Sequence, residues 1–186
     1  MAAEITKEEA NRIFIEYSPY VYRTALLLTK SEALADDVTQ ETFIKVFKKY
    51  HSFDSAKPIK PWIYKITVNT FRNMYRRQKW LKFIGLIPDL PSEDNTVERS
   101  ILRGEQYREL CNEIDLLSAK NREVIVLYYF ADLKLSEIAL VLDIPIGTCK
   151  SRINRALTQL RGQLPEKSYY INQGGKIHGE NERCEG

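Results

Sequence analysis

Apolar positions recur along the chain at intervals of three and four, and no stretch alternates cleanly with period two, so the pattern predicts helices throughout. The first is announced by Thr6-Lys-Glu-Glu9, a capping-box spacing in which Thr6 and Glu9 satisfy two orphan backbone N–H groups; Ile13, Phe14, Tyr17, Val21, Ala25 and Leu28 continue it. Pro19, with Ser18 before it as a cap for a restart, predicts a kink or a brief break. Ser31 opens a second helix reaching about Tyr50. A polar loop follows from Phe53 to Lys60, and Pro61 stands as the first residue of a third helix that runs to about Lys82. From Phe83 to about Thr96 the pattern dissolves into Gly85, Pro88, Pro91 and the acids Asp89, Glu93 and Asp94, which read as a linker. Helices resume at about Val97–Leu117, Ala119–Phe130, Ser136–Leu142 and Thr148–Leu164. The expectation is an all-α chain: a first helical domain over 1–82, an acidic, Pro-containing linker over 83–99, a second helical domain over 100–164 and a flexible tail over 165–186.

Composition narrows the class. Hydrophobic residues at 44% and charged residues at 28% sit near the soluble-globular averages (roughly 45–50% and about 25%), which argues against wholesale disorder. The longest apolar run, Val124 to Phe130, is far short of the ~20 residues a bilayer requires, so no direct membrane insertion is expected. The N-terminus is acidic where a secretory signal is basic, and a cytoplasmic chain is expected. Three cysteines, Cys111, Cys149 and Cys184, lie far apart without a C-x-x-C pair, which disfavours a disulfide framework or a thiolate zinc site. The net charge of +3 says little until the charges are located.

The third helix is where location matters. Lys60, Lys65, Arg72, Arg76, Arg77, Lys79 and Lys82 occur there without a single Asp or Glu. Lys65, Asn69, Arg72, Arg76 and Lys79 fall on one stripe, with Trp62, Tyr75 and Trp80 beside it; Ile63, Ile66, Thr70, Met74 and Leu81 form the opposite, core face. Cations that track phosphates beside rings that stack on bases suit single-stranded nucleic acid. A solvated face whose long side chains cover the core edge is the competing explanation, although such a face normally mixes signs.

The last helical pair carries a second signal. Leu135-Ser-Glu-Ile-Ala-Leu-Val-Leu142, with Ser136 as its expected cap, is followed by an Asp143–Gly147 turn and a longer helix. This is helix-turn-helix spacing. The longer helix turns Cys149, Ile153, Ala156, Leu157 and Leu160 inward and Thr148, Ser151, Arg152, Arg155 and Gln159 outward, with Lys150 near its start. A polar, cationic, acid-free face fits a major groove, where its first residues meet base edges and its arginines meet guanine or phosphate. An ordinary helical hairpin in a bundle has similar spacing.

The second helix begins with Glu32, Asp36, Asp37 and Glu41, acids that complement a helix dipole, and Asp37, Glu41, Lys45 and Lys49 form an i,i+4 ladder. Local stabilisation accounts for these charges, and docking on a protein partner is compatible with the same face. His51 and His178 are far apart and have no evident triad partners, and no Gly-rich phosphate loop, HExxH or paired Cys/His set occurs. No catalytic residue, metal site, cofactor or small-molecule substrate is expected.

Four strings in order, Asp36-Asp-Val-Thr-Gln-Glu-Thr-Phe-Ile-Lys-Val-Phe47, Pro61-Trp-Ile-Tyr-Lys-Ile-Thr-Val-Asn-Thr70, Leu135-Ser-Glu-Ile-Ala139 and Ile144-Pro-Ile-Gly-Thr-Cys-Lys-Ser-Arg-Ile153, make the chain resemble the extracytoplasmic-function group of bacterial RNA polymerase sigma factors. With their flanks they cover about 8–82 and 100–164. The resemblance implies that region 2 docks through Asp36, Asp37, Gln40 and Glu41 on the clamp helices of core RNA polymerase. It also implies that region 2 melts the minus-ten element, holding a flipped base between the Phe53–Lys60 loop and the third helix. Asn69 would line that pocket, with Trp62, Lys65, Arg72, Tyr75 and Arg76 along the strand. Region 4 would read the duplex minus-thirty-five element through Thr148, Lys150, Ser151, Arg152 and Arg155. Promoter DNA, core polymerase and an anti-sigma factor are the implied partners. A stand-alone helix-turn-helix regulator is the alternative, and it leaves the Lys65–Lys79 stripe without a use. A small helical enzyme or scaffold is disfavoured because no catalytic set emerges.

Overall fold

The computed structural model describes residues 5–86 and 112–161, together with the short segments 170–171 and 177–178. Three helices make the first half: α1 (Lys7–Thr29), α2 (Glu32–Lys49), a single 3-10 turn at Tyr50–Ser52, and α3 (Ile59–Phe83). After a helical turn at 112–116 come α4 (Ala119–Ile125), which winds on into a π-helical turn at Val126–Phe130, then α5 (Leu135–Leu142) and α6 (Ile146–Arg161). Strands β1 (Tyr170–Ile171) and β2 (Ile177–His178) pair antiparallel in what the sequence reads as tail. The expected linker beyond Leu86 and the expected helix from Val97 fall outside the described residues, as do Cys111 and Cys184.

Helix ends follow local chemistry, with four departures from expectation. Thr6 caps α1 by accepting from the Glu9 amide at 3.2 Å, but the Glu9 carboxylate does not close a capping box. It accepts instead from the Tyr50 hydroxyl at 2.6 Å, which ties the start of α1 to the end of α2 and raises the Tyr50 pKa. Pro19 does not break α1: the helix runs through it from Lys7 to Thr29. Helix α3 starts two residues early, so Pro61 is its third residue; a proline in the first turn removes only an amide that has no helical partner. Ser136 lies inside α5, and the cap is made by the Lys134 amide donating to the Glu137 carboxylate at 2.8 Å.

The turn into α6 is also tighter than the sequence suggested. Asp143 adopts a left-handed conformation (φ 56°, ψ 53°) and its amide donates to Ala139. Only Ile144 and Pro145 then intervene before α6 starts at Ile146, with the Thr148 and Cys149 amides reaching back to the Pro145 carbonyl.

Two cores hold the molecule together. Ile13, Val21, Phe43, Val46 and Ile63 close the α1–α2–α3 bundle on one side. The larger core runs continuously from Ala25, Leu28 and Val38 through Tyr64, Val68 and Phe71 to Val124, Leu127, Ile138, Val141 and the inner face of α6. Helix α3 packs on α5, and α1 packs on the π-turn, so the two halves share one interior. This corrects the expected single core face of α3. Ile63 and Thr70 are buried as expected, whereas Ile66, Met74 and Leu81 are only half-buried. Tyr64, Thr67, Val68 and Phe71 are buried as well, because α3 is covered on two sides.

Candidate nucleic-acid interface

The acid-free stripe of α3 reaches solvent over most of its length. Lys65, Asn69, Arg76 and Lys79 are exposed, and Tyr75 stands beside them, its ring tilted against Phe71 at 5.8 Å. Trp62 is different. Its indole is half-buried in a nest with Phe53, 5.0 Å away, and Tyr50, 6.5 Å away, at the mouth of the loop that precedes α3. That loop is closed by Asp54, whose carboxylate accepts from the Ala56 amide and pairs with Lys57 at 3.1 Å; Lys57 and the Ala56 amide together hold its pKa below the usual carboxylate value.

Arg72 departs from the rest of the stripe. Its guanidinium donates two parallel hydrogen bonds to Glu123 of α4, Nε to Oε1 at 2.9 Å and Nη2 to Oε2 at 2.7 Å. The Glu123 side chain is 8% exposed and that of Arg72 34%. This pairing raises the Arg72 pKa. Arg72 and Glu123, with Asn69, Tyr75, Arg76, Lys30, Lys49 and Arg122, line a cleft of about 880 Å³ between the two halves. Cations dominate its wall. Arg122 serves the fold there, donating to the carbonyls of Ile114, Asp115 and Leu117 at 2.8–3.1 Å and so tying off the 112–116 turn. Trp62 and Lys65, nearer the start of α3, are not part of this cleft. Neither Glu123 nor the role of Arg122 was legible in the sequence, since a lone Glu and Arg on a short helix carry no pattern.

On the other flank of α3, Asp37, Gln40, Glu41, Ile44 and Lys45 of α2 meet Asn73, Met74 and Arg77 around an open groove of about 510 Å³. Asp36, Asp37 and Gln40 are exposed. One rung of the expected ladder closes, Glu41 to Lys45 at 3.1 Å, and Lys45 also donates to Thr70 Oγ1 at 3.2 Å, fixing α2 to α3. Of the acidic residues singled out from sequence, Asp37 and Glu41 thus border a groove between two helices, and Asp36 is exposed outside it.

In α6, Cys149, Ile153, Ala156 and Leu160 are buried and Leu157 is half-buried, as the spacing required. Burial pushes the Cys149 thiol pKa up. Lys150, Asn154 and Arg155 are exposed; Thr148, Ser151 and Arg152 are half-buried, with the Ser151 hydroxyl donating to the Thr148 carbonyl at 3.0 Å. The first two turns of α6 therefore present a cationic, acid-free face, as a helix entering a groove must.

Among the described residues no group of His, Cys, Asp and Glu has metal-site geometry, and no helix is long and apolar enough to cross a membrane. Family models for Sigma-70 region 2 and Sigma-70 region 4 match residues 13–81 and 107–160. The chain is 32% identical to the ECF RNA polymerase sigma factor SigE of Mycolicibacterium smegmatis over 89% of its own length, and spans 62% of that relative. It is 31% identical to the ECF RNA polymerase sigma factor SigM of Bacillus subtilis over 81% of its length and 92% of the relative. Among solved structures, the fold is similar to the sigma factor RpoE of Bartonella quintana in complex with the anti-sigma factor NepR (TM-score 0.67, 23% identity, 82% of this chain and 94% of that one). It is also similar to CnrH in complex with the cytosolic domain of CnrY (TM-score 0.65, 22% identity, 87% and 90%).

Proposed function

The chain belongs to the extracytoplasmic-function group of RNA polymerase sigma factors, non-enzymatic proteins that direct transcription initiation, and from that premise we propose how its surfaces divide the work. The exposed face of α3 binds the melted minus-ten strand. Lys65 and Arg76 neutralise phosphates, Tyr75 offers a ring to a base, and Asn69 lines the pocket for a flipped base against the Phe53–Lys60 loop, with Trp62 buttressing that loop through Phe53. Arg72 joins this surface once Glu123 releases it. Unstacking a base costs a few kcal/mol, which pocket contacts and counterion release offset.

Helix α6 reads the minus-thirty-five element as duplex, with Thr148, Lys150, Ser151 and Arg152 toward base edges and Arg155 on guanine or phosphate. Asp37, Gln40 and Glu41, around the α2–α3 groove, and the exposed Asp36 dock on core polymerase. A protein inhibitor of the anti-sigma kind is the further partner, and the cytoplasm is the site of action.

The observation that carries this reading is the convergence of Asn69, Tyr75 and Arg76 on one cation-lined cleft, in a chain whose last described helix has a second acid-free cationic face. A stand-alone regulator needs only the second face. Reconstituted transcription tests the reading: purified chain with bacterial core polymerase on its promoter yields specific initiation. Failure to associate with core overturns it.

A further inference from the structure

The loop between α2 and α3 is exposed from Asp54 to Pro58, with neither helix nor strand to order it, yet its course is set from within. At its start the Ser52 hydroxyl donates to the Lys49 carbonyl at 2.7 Å and the Phe53 amide to the Tyr50 carbonyl at 2.9 Å. The Phe53 ring then tilts against Trp62 at 5.0 Å and Tyr50 at 6.0 Å. At its end Pro58, in extended backbone (φ −62°, ψ 132°), leads into α3. Between these anchors Asp54 makes every recorded bond. Its carbonyl accepts from the Lys57 amide at 2.9 Å, one carboxylate oxygen accepts from the Ala56 amide at 3.1 Å, and the other pairs with the Lys57 ammonium at 3.1 Å.

Asp54 is also the only acidic residue between Glu41 and Asp89, a stretch in which Lys and Arg recur throughout. A free carboxylate there would repel the phosphates that its neighbours attract. Both oxygens of Asp54 are instead spent inside the loop, on a backbone amide and a cation three residues on. An Asp side chain that bonds the amide two residues ahead closes a turn of its own, which an apolar residue at that position cannot do.

We propose that Asp54 is a positioning residue for minus-ten recognition: it closes the 54–57 turn before DNA arrives and so holds the Phe53–Lys60 loop in the shape that walls the flipped-base pocket, touching no DNA itself. This role rests on the pocket placed above between that loop and Asn69. A loop ordered in advance has little left to lose when a base enters, and its fixed wall rejects a base of the wrong shape. A loose wall adapts to any base. Loss of the turn therefore costs discrimination more than it costs binding.

The test uses the full chain with bacterial core polymerase, on its promoter and on templates in which each minus-ten position is changed in turn. Opening is read as permanganate reactivity of the melted thymines. The Asp54 side chain is 53% exposed, so Asp54→Ala opens no cavity, and a thermal melt checks the fold. Asp54→Ala is expected to cut the discrimination at the flipped position about fivefold. Asp54→Asn keeps an acceptor for the Ala56 amide and is expected to retain discrimination within about twofold of wild type. Wild-type discrimination in Asp54→Ala overturns the positioning role, as does an equal loss in Asp54→Asn. If both variants instead open every template faster, Asp54 acts only as a repelling charge and the proposal falls. Asn69→Ala separates the two levels. Loss of discrimination there, with none in Asp54→Ala, leaves the pocket standing without its positioning residue; full discrimination in Asn69→Ala overturns the pocket as well.

Discussion

Arg72 and Glu123 lie 51 residues apart and meet in a two-pronged ion pair, with the acid nearly buried and the base one-third exposed. The asymmetry decides what each side chain is worth. Removing the arginine leaves a desolvated carboxylate without a partner, whereas removing both leaves an apolar seam that can repack. Arg72→Ala is therefore expected to cost about 2 kcal/mol of unfolding free energy, below the ~3–5 typical of fully buried pairs because Arg72 is partly screened. The double replacement Arg72→Leu with Glu123→Leu restores most of that loss. Urea denaturation of Arg72→Ala and the double variant measures it; equal destabilisation in the two would refute the account.

Arg155 is exposed on α6, and no hydrogen bond to a neighbouring side chain fixes it among those described. Its replacement by Ala removes a cation from the duplex-facing side without opening a cavity. Promoter affinity of the polymerase complex is expected to fall about tenfold, the scale of one good base or phosphate contact. Affinity of the chain for core polymerase stays unchanged. Loss of core binding would mean that this face docks on protein.

Asp37 is exposed at the α2–α3 groove, while Glu41 is tied to Lys45 at 3.1 Å. The two acids therefore behave differently on reversal. Asp37→Lys is expected to weaken core polymerase binding at least fivefold with the melting temperature unaltered. Glu41→Lys weakens binding too, but also sets a cation against Lys45 and lowers the melting temperature slightly. Competition for core polymerase, read beside a thermal melt, separates the effects. Full affinity in Asp37→Lys would return that acid to a dipole-complementing role alone.

Most of the fold was legible in the sequence because each helix end carries its own local chemistry. Thr6 and Ser31 cap as their spacing predicts, and the inner face of α6 is the predicted one. What escaped the sequence was tertiary. Pro19 predicted a kink or a brief break; the break does not occur, and α1 runs through it, packed on α2, α3 and the π-turn. Glu9 had the spacing of a capping box and was captured by Tyr50 instead. The second buried side of α3, with Tyr64, Val68 and Phe71, is invisible to a single-helix pattern, since it takes the packing of α1 and the second half of the chain together to make those positions interior. Glu123 of α4 turned Arg72 from a free cation into a paired one. The exposure of Lys65, Asn69, Tyr75 and Arg76 was legible because no described residue covers them fully.

Tyr64 sits in that shared interior at 1% exposure, and its pKa is raised from 10.0 to about 12, chiefly by desolvation. The folded state therefore keeps the phenol neutral while the unfolded chain ionises it. Unfolding releases a proton once the pH passes the unfolded value, so stability must fall as pH rises from 10 toward 12 and is unaffected by this group below that window. At ~1.4 kcal/mol per unit, the loss is on the order of 2 kcal/mol by the top of the window. Tyr64→Phe keeps the ring and removes the ionisation. Urea midpoints of the two proteins, measured from pH 8 upward, are expected to run parallel to about pH 10 and then diverge, with wild type falling faster. Other lysines and tyrosines titrate in both proteins and cancel in the difference. Parallel curves through pH 11.5 would show that water reaches the Tyr64 hydroxyl, and that the seam between the halves is open at that point.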